Sequence, residues 1–211
     1  MDYDVGCRLC PRLAKFLDSC RHEQPDYHSL PVPSFGSLDS GLLIVGLAPG
    51  RHGANRTGRP FTGDHAGILL YQTLHASGFA SAPQSVAADD GLVLHGARIT
   101  NAVKCLPPAN KPLPAEIRQC NAYLQHEIAS MPQLRVILAL GRIAHDAVLD
   151  AVGVRRRTAV FAHGAEHSLV ERPRLIDSYH CSRYNTQTRR LTPLMFSAVV
   201  QRARALVEAA R

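Results

Sequence analysis

Four of the six cysteines are spaced as metal ligands would be. Cys7 and Cys10 form a C-x2-C pair near the N-terminus, and Cys105 and Cys120 form a C-x14-C pair in mid-chain. C-x2-C places two sulfurs on one turn, where both reach the same ion or cluster, and two distant thiols can close a four-thiolate site. Zinc satisfies such a set as well as an iron–sulfur cluster does, so the spacing leaves both open. Cys20 and Cys181 are left over. The second chemistry-bearing stretch runs from Gly46 to Asp64, GLAPGRHGANRTGRPFTGD. It holds Gly50, Gly53, Gly58 and Gly63, one aromatic (Phe61) and one carboxylate (Asp64). Glycines let backbone N–H groups come close to a ligand. Asp64 stands just before an apolar helical run, where an acid is favoured as a helix N-cap; its plainest role is that cap.

These residues need elements to position them. Leu42 to Val45, Arg98 to Val103, Arg135 to Leu140 and Arg174 to Tyr179 are short apolar or β-branched runs that read as buried strands. Helices are expected over 66–78, from Pro114 to about Ser130, over 142–152 and over 192–210, with a further helical spacing at Leu9, Leu13, Phe16 and Leu17. A short strand is possible at 92–94, and 158–170 suggests a β-excursion. Strands that alternate with helices predict an α/β protein: a three-layer α/β/α arrangement around a central, mainly parallel four-stranded sheet, as one domain over residues 1–211. The C-terminal ends of the strands then bring together three polar loops, 46–64, 101–105 and 180–190, which carry Asp64, Asn101 and His180.

Composition narrows the partner. The 211 residues carry a net charge of +7, and 21 of the 24 basic residues are arginine. Arginine suits bidentate contact with phosphate, so nucleic acid is the first expectation. A GC-rich genome would also raise arginine. No apolar run approaches the ~18 residues of a membrane span, and no signal pattern opens the chain, so a cytoplasmic protein with reduced cysteines is expected.

The Gly-rich segment, followed by TNAVKC at 100–105 and SYHCSRYNTQT at 178–188, resembles the uracil-DNA glycosylase superfamily. It is most similar to family 5, the B-type iron–sulfur enzymes, over nearly the whole chain and including the four spaced cysteines. The resemblance implies that Cys7, Cys10, Cys105 and Cys120 hold a structural [4Fe–4S] cluster, with zinc the alternative. It implies that Asp64 is the catalytic acid residue beside its capping role. The cluster-bearing family 4 has an acid directly after the first glycine of the motif; here that position is Leu47, a lack shared with family 5.

The residue chemistry agrees with that implication. Excision of a base needs a flipped nucleotide, a grip on the base edge and a site for an oxocarbenium-like sugar. Phe61 offers a stacking face, and Asn101 offers a donor and an acceptor to the base edge. His180 can donate to a carbonyl oxygen on which charge develops. Backbone amides from Ala48 to Gly50 can help hold the base, and His52 and Asn55 can orient water or touch the sugar. Ser182, Arg183, Tyr184 and Asn185 are candidates for contact with the DNA backbone, with Arg183 or Tyr184 filling the space of the flipped base. Cys181 stands where family members often have proline, which leaves that loop less stiff. Lyase chemistry needs an amine near the sugar, and Lys104 is the nearby candidate beside a cluster cysteine, so a monofunctional enzyme is expected. The resulting expectation is a monomeric glycosylase that removes uracil, and other deaminated bases such as hypoxanthine and xanthine, from double-stranded DNA in base excision repair. The alternative is a non-catalytic nucleic-acid-binding protein of the same fold with a structural metal site.

Overall fold

The computed structural model describes residues 3–169 and 173–209. In chain order the elements are α1 (Pro11–Glu23), β1 (Leu42–Gly46), α2 (Ala54–Thr57), α3 (His65–Ala76), β2 (Ala97–Asn101) and α4 (Pro114–Ala129). They continue with β3 (Val136–Leu140), α5 (Arg142–Ala151), β4 (Glu166–His167), β5 (Arg174–Ser178), α6 (Arg183–Gln187) and α7 (Pro193–Ala209). α1, α4 and α7 each begin on a proline, whose missing N–H costs nothing in the first turn. In α4 the Glu116 carboxylate also reaches back to the Leu113 N–H (2.7 Å).

The sheet has the order β2-β1-β3-β5-β4. The first four strands are parallel, as expected, and β1 and β3 are buried along their whole length. The expected four-stranded sheet gains a fifth strand: two-residue β4 lies antiparallel on β5 at the edge. It arises within the 158–170 excursion, of which residue 170 is outside the described residues. The 92–94 strand reduces to a single antiparallel bridge, Ala80 with Leu94.

Alternation along the strands divides the core. Leu42, Ile44, Ile99, Leu138 and Ile176 face α3 and α7, where Leu70, Leu74, Phe196 and Val200 cover them. Leu43, Val45, Ile137, Ala139 and Leu175 face α4 and α5. This is the three-layer arrangement. A third, smaller cluster joins Leu13, Leu17 and Cys20 of α1 to Val103, Leu106 and Tyr123. Parallel register sets Gly46 opposite Asn101 and Leu140 opposite Ser178, so the strand ends open on one edge of the sheet. The strand order reverses at β1, with β2 on one side and β3 on the other; open α/β sheets place ligands at such a switch point.

Candidate active site

A cavity of about 450 Å³ opens at that edge, and Ala48, Gly50, Phe61, Asp64, Asn101 and His180 all border it. The three loops singled out in the sequence therefore meet in one place. Leu47, Ala54, His65, Ala66, Asn110, Ser182 and Arg183 complete the wall.

Glycines let these side chains crowd together. A Cβ at Gly46 would lie 2.5 Å from Phe61 Cζ and would also strike Asn101 Oδ1, so only glycine leaves room for both. A Cβ at Gly53 would lie 2.7 Å from Asp64 Cβ and 2.8 Å from its Cγ. Phe61 itself has φ +54°, a left-handed conformation that a bulky residue adopts only when its surroundings enforce it. Its ring stacks on His180, with centroids 5.9 Å apart and planes at 28°.

Asp64 is the N-cap of α3, as its position in the sequence predicts: Oδ1 accepts from the Gly67 N–H at 2.9 Å. The carboxylate also borders the cavity. Burial pushes its pKa above the ordinary carboxylate value, against the backbone hydrogen bonds of Gly67 and Ala66, which lower it. The cap thus holds the carboxylate in place without removing it from the site.

Asn101 is 4% exposed, and its Oδ1 makes no hydrogen bond. Buried polar oxygens are nearly always paired, so one left open at a cavity wall is an acceptor awaiting a donor. His180 sits at the other end of the stack. Its ring has no hydrogen bond among the described residues, and burial pushes its pKa down to about 4. It is a neutral imidazole at physiological pH, open at the pocket side. Its backbone carbonyl accepts from Asn185 Nδ2 (2.8 Å).

The remaining predicted residues divide. Ser182 caps the short helix α6 through the Asn185 N–H (3.4 Å), and both Ser182 and Arg183 border the cavity. Tyr184 projects beside it, 70% exposed. Cys181 is fully buried in the core behind the site. His52 and Asn55 do not border the cavity. His52 is exposed and shares a hydrogen bond with the Tyr27 hydroxyl (2.9 Å), and Asn55 is buried with Nδ2 on Ser29 Oγ (3.4 Å). Lys104 is buried and committed: its ammonium donates to Ser34 Oγ (3.0 Å), Thr100 Oγ1 and Glu127 Oε2 (3.2 Å). Burial works against the Glu127 charge, but Lys104, Ser34 and Arg98 outweigh it and hold its pKa at about 2.

Sequence reasoning missed several contributors. Asn110 lines the cavity in a left-handed conformation (φ +56°), which asparagine tolerates well; its place in a proline-broken stretch was the available signal. His65 lines it too and meets Thr186 Oγ1 (3.0 Å), tying α3 to α6. Behind the site, His163 Nδ1 accepts from the Tyr179 N–H (3.2 Å), and its ring stacks on Tyr179 (5.1 Å, 19°). Asp177 meets His145 Nδ1 (2.7 Å) and His167 Nε2 (3.0 Å), while His145 Nε2 meets the Ala159 carbonyl (3.0 Å). This histidine bracket fixes the end of β5 two residues before His180, and nothing in its sequence separates it from the other histidines.

The four spaced cysteines also converge. Cys7, Cys10, Cys105 and Cys120 line one small apolar cavity with Leu13, Val103 and Tyr123, and all are free thiols. Among the described residues only His145, His167 and Asp177 bring three ligand atoms within 4.8 Å of one another. The thiols are therefore spread more widely than that.

Comparison with known proteins agrees with this geometry. Residues 33–204 match the model of the uracil DNA glycosylase superfamily. The chain is 46% identical to a Type-5 uracil-DNA glycosylase of Thermus thermophilus over 207 residues, covering 96% of this chain and 94% of that one. It is 43% identical to a Type-5 enzyme of Mycobacterium leprae over 209 residues (95% and 91%). It is 40% identical to one of Pyrobaculum aerophilum over 205 residues (95% and 89%).

Proposed function

The chain belongs to the uracil DNA glycosylase superfamily, and from that membership we propose that it excises uracil from DNA by hydrolysing the N-glycosidic bond. The observation that carries this reading is the unpaired Oδ1 of Asn101, on a residue bordering a pocket that also holds an aromatic face, a neutral histidine and a carboxylate.

The residues divide the work. The flipped base lies against Phe61, and Asn101 Oδ1 accepts its ring N–H. As the C1′–N1 bond breaks, its electron pair moves onto the base and charge builds on a carbonyl oxygen. His180, held neutral, donates a hydrogen bond there, and the Ala48–Gly50 amides add to the grip. Asp64 faces the cationic sugar and positions the attacking water, whose oxygen bonds to C1′. One water proton passes to Asp64 and on to the departing base, and the other stays on the new C1′ hydroxyl. Lys104 is held by Glu127 rather than offered to the sugar, and an abasic site is the proposed product.

The walls contributed by Ala48, Gly50, Ala54 and Ala66 are short, and the volume of about 450 Å³ supports a purine as well as a pyrimidine. Hypoxanthine and xanthine are therefore proposed substrates. Double-stranded DNA is the proposed partner, contacted by Ser182, Arg183, Tyr184 and Asn185. One chain supplies every residue named, so a monomer suffices. No helix among the described residues is long and apolar enough to cross a membrane, and action on chromosomal DNA in the cytoplasm is the proposed setting.

We propose a [4Fe–4S] cluster as the group these four thiols hold, with zinc the alternative. A single tetrahedral zinc with Zn–S of about 2.3 Å would draw four sulfurs to roughly 3.8 Å of one another; the all-thiol donor set and its apolar surroundings support the cluster. Its contribution when bound is structural, joining the segment before α1 to α4 and to the stretch after β2.

Excision from duplexes containing uracil, hypoxanthine or xanthine tests the activity: base release without strand cleavage is expected. A borohydride-trapped covalent adduct would overturn the monofunctional reading, and no release of uracil would overturn the reading as a whole. Iron and sulfide near four atoms each per chain are expected in anaerobic preparations; stoichiometric zinc would overturn the cluster.

A further inference from the structure

The base pocket continues past Asp64. A second groove of about 550 Å³ runs from Asp64 and His65 along Ile68 to Ser85 and Val86, with Arg183 at the junction. Asp64, His65 and Arg183 border both spaces.

One wall of this groove is a rigid turn. Arg59 is only 6% exposed and donates to Asp90 Oδ1 (2.5 Å), Ser85 Oγ (3.0 Å) and the Ala88 carbonyl. The Asp90 carboxylate in turn accepts from the N–H groups of Val86 (2.8 Å), Ala87 (3.3 Å) and Leu92 (3.0 Å). Thr62 and Ser85 share a hydroxyl hydrogen bond of 2.7 Å, so the turn is fastened directly to the Gly-rich loop. Yet the residue this network holds out to solvent is apolar: Val86 is 61% exposed, and Ile68 on the helical wall is 55% exposed. Burying an ion pair is costly, and a fixed turn needs no apolar tip for its own stability. Two apolar side chains on a preorganised groove with a cation at its mouth mark a contact surface.

We propose that this groove seats the nucleotide next to the excised one in the same strand, its base against Ile68 and Val86 and its phosphate toward Arg183. This rests on the base-excision reading above. A strand that delivers one nucleotide past Asp64 must place its neighbour one phosphate away, and the groove is the space that adjoins Asp64 on that side. The neighbour of a flipped nucleotide has lost a stacking partner, and an apolar wall replaces it.

Short duplexes with uracil at successive distances from each end of its strand test this, assayed as kcat/KM with wild type and with Val86→Ser and Ile68→Ser, singly and together. These neutral exchanges at exposed positions leave the fold and the salt dependence in place. For wild type, removing the flanking nucleotide on one side should cost about tenfold, the size of one base contact. The double variant should suffer that loss on the long substrate and no further loss on the strand truncated at that side, while truncation at the other end stays additive. Additivity at both ends, or a double variant equal to wild type on long substrates, overturns the proposal. A wild type that releases uracil from none of the duplexes overturns the excision reading itself, and this inference with it.

Discussion

Gly53→Ala tests whether the pocket depends on where Asp64 stands rather than on its presence alone. The new Cβ would lie 2.7 Å from Asp64 Cβ and 2.8 Å from Cγ. Carbon atoms pack at about 3.5–4.0 Å, so Asp64 must move by roughly 1 Å. A displacement of that size from the reacting geometry costs about 100-fold in rate, or about 2.7 kcal/mol. The same shift pulls Oδ1 from the Gly67 N–H, so loss of the cap should cost about 0.5–2 kcal/mol of stability, a few degrees in Tm for a chain of this size. Single-turnover excision from a uracil duplex and thermal unfolding are the two assays, and both should fall together. Gly50→Ala is the control for the cap: its Cβ would meet Asp64 Oδ2 at an ordinary 3.4 Å, leaving the cap, and with it Tm, close to wild type. Wild-type turnover in Gly53→Ala would refute the argument that this glycine sets the carboxylate.

Three further outcomes are expected. Asp64→Asn keeps a capping oxygen but removes the charge, so Tm should hold while excision falls about 10²- to 10⁴-fold; equal damage to both would reduce Asp64 to a cap. Asn101→Ala should lower uracil excision more than hypoxanthine excision, by about 1–3 kcal/mol in kcat/KM, and equal losses would contradict edge recognition. Burial disfavours the charged form of His145, but the bond to Asp177 outweighs it and raises its pKa. Its stabilisation is thus complete below the unfolded value of about 6.5 and fades as pH rises through the raised folded value. The Tm difference between wild type and His145→Gln should narrow as pH rises above the unfolded value of about 6.5; a difference that widens would rule out the ion pair.

The strands and the site loops were readable because apolar runs and glycines are local signals. Leu42 to Val45 could hardly be anything but a buried strand, and Asp64 before an apolar run marked both a helix start and an available carboxylate. The rest depends on tertiary partners. β4 is two residues long and exists only because β5 offers an edge, so no run of residues announces it. α2 and α6 span four and five residues, too short for any periodicity. Asn55 shares the loop of Asp64, yet the turn of α2 aims it at Ser29 instead of the cavity. Phe61 was a candidate stacking face from its type, but its left-handed backbone and its stack on His180 come from a residue more than a hundred positions away. That Lys104 pairs with Glu127 of α4, 23 positions on, is a tertiary contact that its neighbours in sequence do not announce.

Asn101 at the cavity wall and Cys105 of the thiol set stand on one short piece of backbone. Between Asn101 and Cys105 the Ala102 N–H bonds to the Gly46 carbonyl (2.9 Å) and the Val103 N–H to the Leu47 carbonyl (3.0 Å), and the Lys104 N–H meets Cys120 Sγ (3.3 Å). Such a tether cannot slip at one end and stay still at the other. A shift of Cys105 or Cys120 is therefore carried along these bonds to Asn101 at the cavity wall.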